Sequence, residues 1–238
     1  MPLRHSMLSI ILAAVVFPTP GSAQEHGFFA GLDASSGMAY GSSNTRDGGA
    51  AFAGGGSVDH VGFKNTVGMG GYVGYQVRPS LSLFLSYQRA RGDIRWKATF
   101  PAVGAASRFS GSAITNAAMA NMGYDLALTS TTTLRATAGL GLAFNSLSDV
   151  VETDEPTSLF LSDVANHTRT NPAAQLGIGL RYALARNLDI GLDASAAYVG
   201  GFQTGHTRSG NLGITGITPY KIDKVWRTSL GASLEFRF

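Results

Sequence analysis

The 238-residue sequence contains no cysteine, which excludes disulfides, thiolate metal sites and a lipid-modified cysteine anchor. An oxidising compartment is compatible with the chain but is not exploited. Only 14% of residues are charged and lysine is scarce, a low charge content for a soluble enzyme. The formal net charge is +3 with no clustered basic stripe, so nucleic acid is not an expected partner. After the N-terminal segment no stretch offers the ~18 consecutive apolar residues that a spanning helix requires. The five histidines (His5, His26, His60, His167, His206) share no short motif, so neither a metal nor another cofactor is expected.

Two features stand against these absences. Arg4 and His5 precede an apolar run from Met7 to Phe17, followed by Gly21-Ser22-Ala23. A charged start, a short apolar stretch and a small-residue cleavage site describe a secretory signal peptide over residues 1–23. A membrane anchor fits less well, because the run is too short to span a bilayer and Pro18 and Pro20 interrupt it. Residues 24–238 then suit one domain.

The second feature is alternation. From Trp226 to Phe238 the residues Trp226, Thr228, Leu230, Ala232, Leu234, Phe236 and Phe238 share one face, and Arg227, Ser229, Gly231, Ser233, Glu235 and Arg237 share the other. Alternate side chains of a strand point to opposite sides, so this segment is a long strand with one apolar and one polar face. Seven further segments alternate in the same way, around residues 27–36, 67–77, 81–87, 118–128, 134–145, 174–184 and 188–202. The connections at 78–80, 129–132 and 185–187 are short, whereas 41–64, 92–113, 147–170 and 203–222 each span about twenty residues. Eight strands with short turns at one end and four long loops at the other predict an all-β fold. The expected architecture is an eight-stranded antiparallel transmembrane β-barrel with periplasmic turns and extracellular loops.

A soluble sandwich or lipocalin-like barrel shares the alternation. The membrane barrel is favoured by a polar face rich in Gly, Ala and Ser, and by tyrosines near strand ends (Tyr75, Tyr87, Tyr124, Tyr182, Tyr198) that suit an aromatic girdle.

With the apolar face toward lipid, the interior receives Asp33, Asp125, Arg135, Arg181, Asp189, Asp193, Arg227, Glu235 and Arg237. Buried charges are costly unless paired, and Arg pairs well with carboxylates. The turn around Ser130 sets Asp125 opposite Arg135, and a turn centred near Ala185 sets Arg181 opposite Asp189. A near-neutral lumen network acting as a plug is therefore expected, because eight strands enclose little more than side-chain volume. Catalysis or ion conduction is the alternative for these charges.

Asp149, Glu152, Asp154, Glu155 and Asp163 read as a solvated acidic loop, with weak cation bridging as the alternative. The stretch 92–113 mixes Arg91, Arg95, Lys97 and Arg108 with Trp96, Phe100 and Phe109, which suits either contact with lipopolysaccharide phosphates or packing over the barrel mouth. Residues 48–56 are rich in Gly and Ala and read as a mobile loop. Lys221 and Lys224 beside Trp226 read as an interface anchor.

The leader ending at Ala23, the eight alternating segments and the closing LGASLEFRF resemble the small surface-antigen barrels of Gram-negative bacteria, including opacity proteins, OmpA/OmpX-type barrels and porin-like antigens. The resemblance implies a location in the outer membrane, with outer-membrane lipid and lipopolysaccharide as surroundings. It also implies that Phe236 and Phe238 form the terminal signal read by the barrel-assembly machinery. It further implies a structural or interaction role, through adhesion or a host or cell-surface ligand, or else a small-solute pore. An enzyme is not expected. GHTRSGN resembles the His-x-Ser-Asn pattern of lipid A deacylases, but His206 and Ser209 are three apart, Gly210 precedes Asn211, and Glu235 belongs near the other end of its strand.

Overall fold

In the computed structural model, the described residues are 27–45, 57–101, 104–211 and 213–238. The expected signal peptide, residues 1–23, and the Gly/Ala-rich stretch 48–56 lie outside them.

Eight long strands form the wall: β1 (Gly27–Ser42), β3 (Thr66–Arg78), β4 (Leu81–Phe100), β5 (Ala105–Ala127), β6 (Thr132–Asp154), β8 (His167–Ala185), β9 (Leu188–Gln203) and β12 (Lys221–Arg237). Each pairs antiparallel with its neighbour in this order, and β12 pairs with β1 from Phe29↔Arg237 to Tyr40↔Trp226, closing the ring. The four shorter strands β2 (Ser57–Phe63), β7 (Phe160–Val164), β10 (Thr207–Gly210) and β11 (Gly213–Gly216) lie at one end, β2 on β4, β7 on β6, β10 on β7 and β11 on β10.

Leu32, Met69, Leu85, Leu140, Leu176, Leu192 and Leu230 are all at least 63% exposed on the outside of the wall. On β1 this apolar face runs from Phe28 to Met38, about 33 Å of strand and about 25 Å along the axis after tilt, the height of an outer-membrane lipid belt. Aromatic residues edge it. Phe28 and Tyr75 meet at the short-turn end (centroids 5.0 Å), and Tyr198 and Trp226 meet at the other (5.3 Å).

Among the described residues, the stretches read from sequence as long loops are largely strand. β4 continues to Phe100 and β5 starts at Ala105, so 92–113 is mostly a tall hairpin, and β6 runs through Asp154. The physical reason is a reversal of polarity at constant parity. Along β4 the outward residues change from Leu83, Leu85 and Tyr87 to Arg89, Arg91, Asp93 and Arg95. The inward residues change from Ser82, Phe84, Ser86 and Gln88, polar apart from Phe84, to Ile94, Trp96, Ala98 and Phe100. The lower barrel is apolar outside and polar inside, and the upper barrel is the reverse. The lipid-facing pattern stops where the lipid stops. From Arg89 to Phe100, β4 rises about 36 Å, or roughly 25–30 Å along the axis.

Bulges mark the change on other strands. His60, Asp149 and Lys224 have positive φ, and the pairing shifts between Asp59 and Gly62, between Ser110 and Ser112 on the strand facing Asp149, and between Ile222 and Val225. Each extra residue re-aims the chain, so that Val150 and Ile222 face a core. Gly200, at φ 84, sits at the fourth such site, opposite Val225. Its freed neighbour carbonyls are taken up by buried asparagines: Asn145 donates to Val199 O (2.6 Å) and Gly201 O (3.0 Å), and Asn171 donates to Gly201 O (2.9 Å).

A Cβ on Gly200 would run into the Asn171 side chain in a backbone conformation β-branched residues avoid. Gly200→Val is expected to lower the temperature at which the folded band converts to the unfolded band on a denaturing gel. Gly216→Ala, where a Cβ meets nothing within 4 Å, is expected to leave that temperature unchanged.

Candidate functional site

The candidate site is the barrel interior. At the short-turn end β6 projects Arg135, 1% exposed. The tight β5–β6 turn sets Asp125 directly across, and the guanidinium grips it with two bonds, Nε to Oδ1 at 2.7 Å and Nη2 to Oδ2 at 3.0 Å. Its Nη1 donates to Glu235 Oε2 at 2.6 Å across the lumen, and its face lies 5.5 Å from the Phe29 ring. Glu235 is fully buried and also accepts from Tyr72 (3.2 Å). Arg237 approaches both Glu235 (3.4 Å) and Asp189 (2.6 Å) at the rim. One cation thus joins β5, β6 and β12, and a two-pronged Arg–carboxylate contact has the geometry that suits a desolvated pair.

The Arg181–Asp189 opposition expected from sequence does not form. The β8–β9 turn closes more tightly, with Ala185 opposite Leu188, so Asp189 faces Ala183 and Arg181 faces Gly191. A two-residue shift preserves the inward parity but changes the partner. Arg181 reaches Asp193 (2.9 Å), Ser233 Oγ (2.6 Å) and Tyr72 (3.1 Å). A Cβ on Gly191 would lie 2.8 Å from the Arg181 guanidinium, so the bare backbone there makes room for it.

Arg227 and Asp33 are joined through an amide. Arg227 donates to Gln88 Oε1 (2.6 Å), and Gln88 donates to Asp33 Oδ1 (3.1 Å). Beside them Gln175 donates to Asn121 (2.6 Å), and Asn121 donates to Ser86 (2.9 Å). Neutral partners such as Tyr72, Gln88, Asn121, Gln175 and Ser233 were not among the charged candidates, although each stands on the inward parity of its strand. Between these layers lies a polar cavity of about 90 Å³ lined by Asp33, Gln88, Arg181 and Asp193, room for a few waters.

The far end is closed by apolar side chains. Trp96 and Phe109 stack with centroids 5.1 Å apart, Tyr220 packs on Phe109 at 4.7 Å, and Ile94, Leu147 and Ile222 are fully buried around them. The mixture of basic and aromatic residues in 92–113 is therefore sorted by parity, with Trp96, Phe100 and Phe109 over the mouth and Arg91, Arg95 and Arg108 on the outside.

The acidic run is not simply solvated. Glu152 is 2% exposed and accepts from Ser162 (2.7 Å) and Arg208 (3.3 Å), tying β6, β7 and β10 together. Glu155 pairs with Lys97 at 2.7 Å. The bulge after Leu147 turns Glu152 inward, and no local alternation announces that bulge. Burial, reinforced by the Glu152 carboxylate, holds the Tyr220 hydroxyl above its ordinary pKa.

His206 and Ser209 are exposed at the hairpin end, while Glu235 is buried at the short-turn end under Arg135, so the three are not brought together. His167 and His206 approach with ring centroids 6.4 Å apart, and no group of three or more metal-ligating side chains occurs among the described residues. Phe236 and Phe238 meet edge to face at 5.1 Å at the end of β12.

No curated protein matches the sequence. Among solved structures, the outer membrane protein OprG from Pseudomonas aeruginosa aligns with a TM-score of 0.55 at 12% identity, over 89% of this chain and 97% of that one. Neisserial surface protein A aligns with 0.44 at 17% identity, over 90% and 100%. The attachment invasion locus protein Ail of Yersinia pestis, solved with the heparin analogue sucrose octasulfate, aligns with 0.43 at 15%, over 90% and 100%. At such identities the OprG likeness is one of fold. The family model of the outer membrane protein beta-barrel domain matches residues 9–238. A closed eight-strand wall with a lipid-facing apolar belt and a match over nearly the whole sequence lead to one conclusion: the chain belongs to the outer membrane protein β-barrel domain family and resides in the bacterial outer membrane.

Proposed function

We propose that this protein is a closed, non-conducting surface barrel of the outer membrane with a structural and interaction role. The observation that carries the reading is the double closure of the lumen, by the Arg135–Asp125–Glu235 cluster at one end and by the stacked Trp96–Phe109 core at the other. In this reading Asp33, Asp125, Arg135, Arg181, Asp189, Asp193, Arg227, Glu235 and Arg237 form a structural plug. The short turns face the periplasm, and the tall hairpins stand outside the cell as a rigid platform. Exposed Leu159, just before β7, with Phe160 on β7 and Ile214 on β11, offers apolar contact to a cell-surface partner. Phe236 and Phe238 serve as the terminal signal for the barrel-assembly machinery.

A small-solute pore is the second reading, favoured by the polar cavity of about 90 Å³. Conduction would require both closures to open. Catalysis has no support from the separated His206, Ser209 and Glu235.

Two measurements test the plug. Arg135→Ala leaves Asp125 and Glu235 without their shared cation, which costs about 3–5 kcal/mol for a buried pair. A clear drop in the urea midpoint in detergent micelles is expected, with Arg186→Ala at an exposed turn as a neutral comparison. An unchanged midpoint would remove Arg135 from the account. In planar bilayers with concentrated KCl the wild-type protein is expected to give no steady single-channel steps, and regular steps would establish the pore instead.

A further inference from the structure

The outer wall carries a feature that the lumen does not explain. Just above Tyr87, β4 sends Arg89, Arg91 and Arg95 outward. The register sets Arg89 beside Met69 and Asn116, and Arg91 beside Val67 and Ile114. Met69 and Val67 are 71% and 64% exposed, so these cations stand level with the last lipid-facing side chains of the neighbouring strand. Tyr87, one step below, is exposed and donates to Asn116 at 2.9 Å. Lys97, two steps beyond Arg95, is already engaged by Glu155. Arg89 and Arg95 have no ionic or hydrogen-bond partner among the described residues, and Arg91 has only the hydroxyl of Ser112 (2.9 Å).

A recess opens beside this stripe. β1 and β3 pair only as far as Gly37↔Thr66, and β2 pairs with β4 and not with β3. The chain between them stays on β4, where Lys64 N–H donates to Asp93 O at 2.9 Å, and the gap beside β3 leaves an open hollow of about 570 Å³ lined by Lys64, Asn65, Val67, Arg91, Gly92 and Asp93. Lys64 holds Asp93 at 3.3 Å, with both side chains more than half exposed, which leaves the ammonium free to exchange partners. Guanidinium groups suit phosphate oxygens, and here they sit level with Val67 and Met69 and above an apolar wall of Val73, Leu83 and Leu85. Free phosphate would use the cations but not the wall. An amphiphile with a phosphorylated headgroup and acyl chains uses both.

We propose that the β3–β4 wall is a binding site for a phosphorylated glycolipid of the outer leaflet. Arg89, Arg91 and Arg95, spread over about 20 Å of β4, hold the two phosphates of a bisphosphorylated lipid A, Lys64 and Asn65 line the headgroup recess, and Val67, Met69 and Leu85 take the acyl chains. The assignment rests on the hairpin end facing outward, as proposed above, but not on the lumen being closed.

The test is calorimetric titration of the full-length barrel in neutral-detergent micelles with three probes: bisphosphorylated lipid A, dephosphorylated lipid A and phosphatidylglycerol. Bisphosphorylated lipid A is expected to bind tightest. The Arg89→Gln/Arg91→Gln/Arg95→Gln triple variant is expected to lose roughly tenfold or more of that affinity while its folded band keeps its heat resistance. Arg186→Gln, an exposed cation in the short β8–β9 turn, is expected to lose almost none. Equal binding of dephosphorylated lipid A or of phosphatidylglycerol, or an unchanged triple variant, would overturn the proposal. If the triple variant does not fold, the phosphate dependence of the wild-type protein decides by itself. A barrel that conducts ions and still prefers lipid A would lose the closed-lumen reading and keep this site.

Discussion

A sheet edge cannot face hydrocarbon, because nothing there satisfies its N–H and C=O groups. Everything else in this barrel follows from the closure of β12 on β1. Once the ring is shut, each strand has one side in lipid and one in the lumen, and parity assigns every side chain to one of them. Apolar residues on the lipid side then oblige the other side to hold what remains, which is small or charged. Eight strands leave no room for an aqueous channel between such groups unless they are absent or short. The charges therefore meet one another, and Arg135 spans the lumen to do so.

Above the lipid the same ring continues under the opposite solvent rule. Water outside favours the arginines of β4 and expels Trp96, Phe109 and Tyr220 into the bore. The molecule is thus two barrels of opposite polarity on continuous strands. On β4 the switch needs no change of parity, because the residue types themselves exchange faces. On β6 and β12 it is made by bulges at Asp149 and Lys224. At the crossover level the outer wall meets headgroups, and there stand Arg89, Arg91 and Arg95, which have no ionic partner among the described residues. The lipid boundary, the lower edge of the apolar core and the headgroup recess are three consequences of one change of surroundings.

This explains what the sequence discloses and what it does not. The eight wall strands are legible because alternation with an apolar lipid face extends over nearly the whole belt, and the short turns between them are marked by Pro79, by the Thr129–Thr132 run and by Asn187. The inward placement of the charged residues follows from parity alone. Their partners depend on register, and register depends on turn geometry: the four-residue turn after β5 sets Asp125 against Arg135, whereas the tighter closure at Ala185 and Leu188 moves Arg181 on to Asp193. The tall hairpins were hidden because their alternation is inverted, and Glu152 was hidden because a bulge at Asp149 decides its direction. Nothing local announces such a bulge.

The most direct test of the two-barrel account uses the absence of cysteine, since single cysteines can be introduced along β4 from residue 83 to residue 99 without background labelling. Spin labels at these positions in lipid bilayers would be probed with oxygen, which partitions into lipid, and with a water-soluble nickel chelate. The account predicts odd positions accessible to oxygen through Tyr87 and to nickel from Arg89 outward, with the even positions shielded from both along the strand. Even positions open to nickel between Ile94 and Ala98, or odd positions still in lipid beyond Arg91, would contradict it.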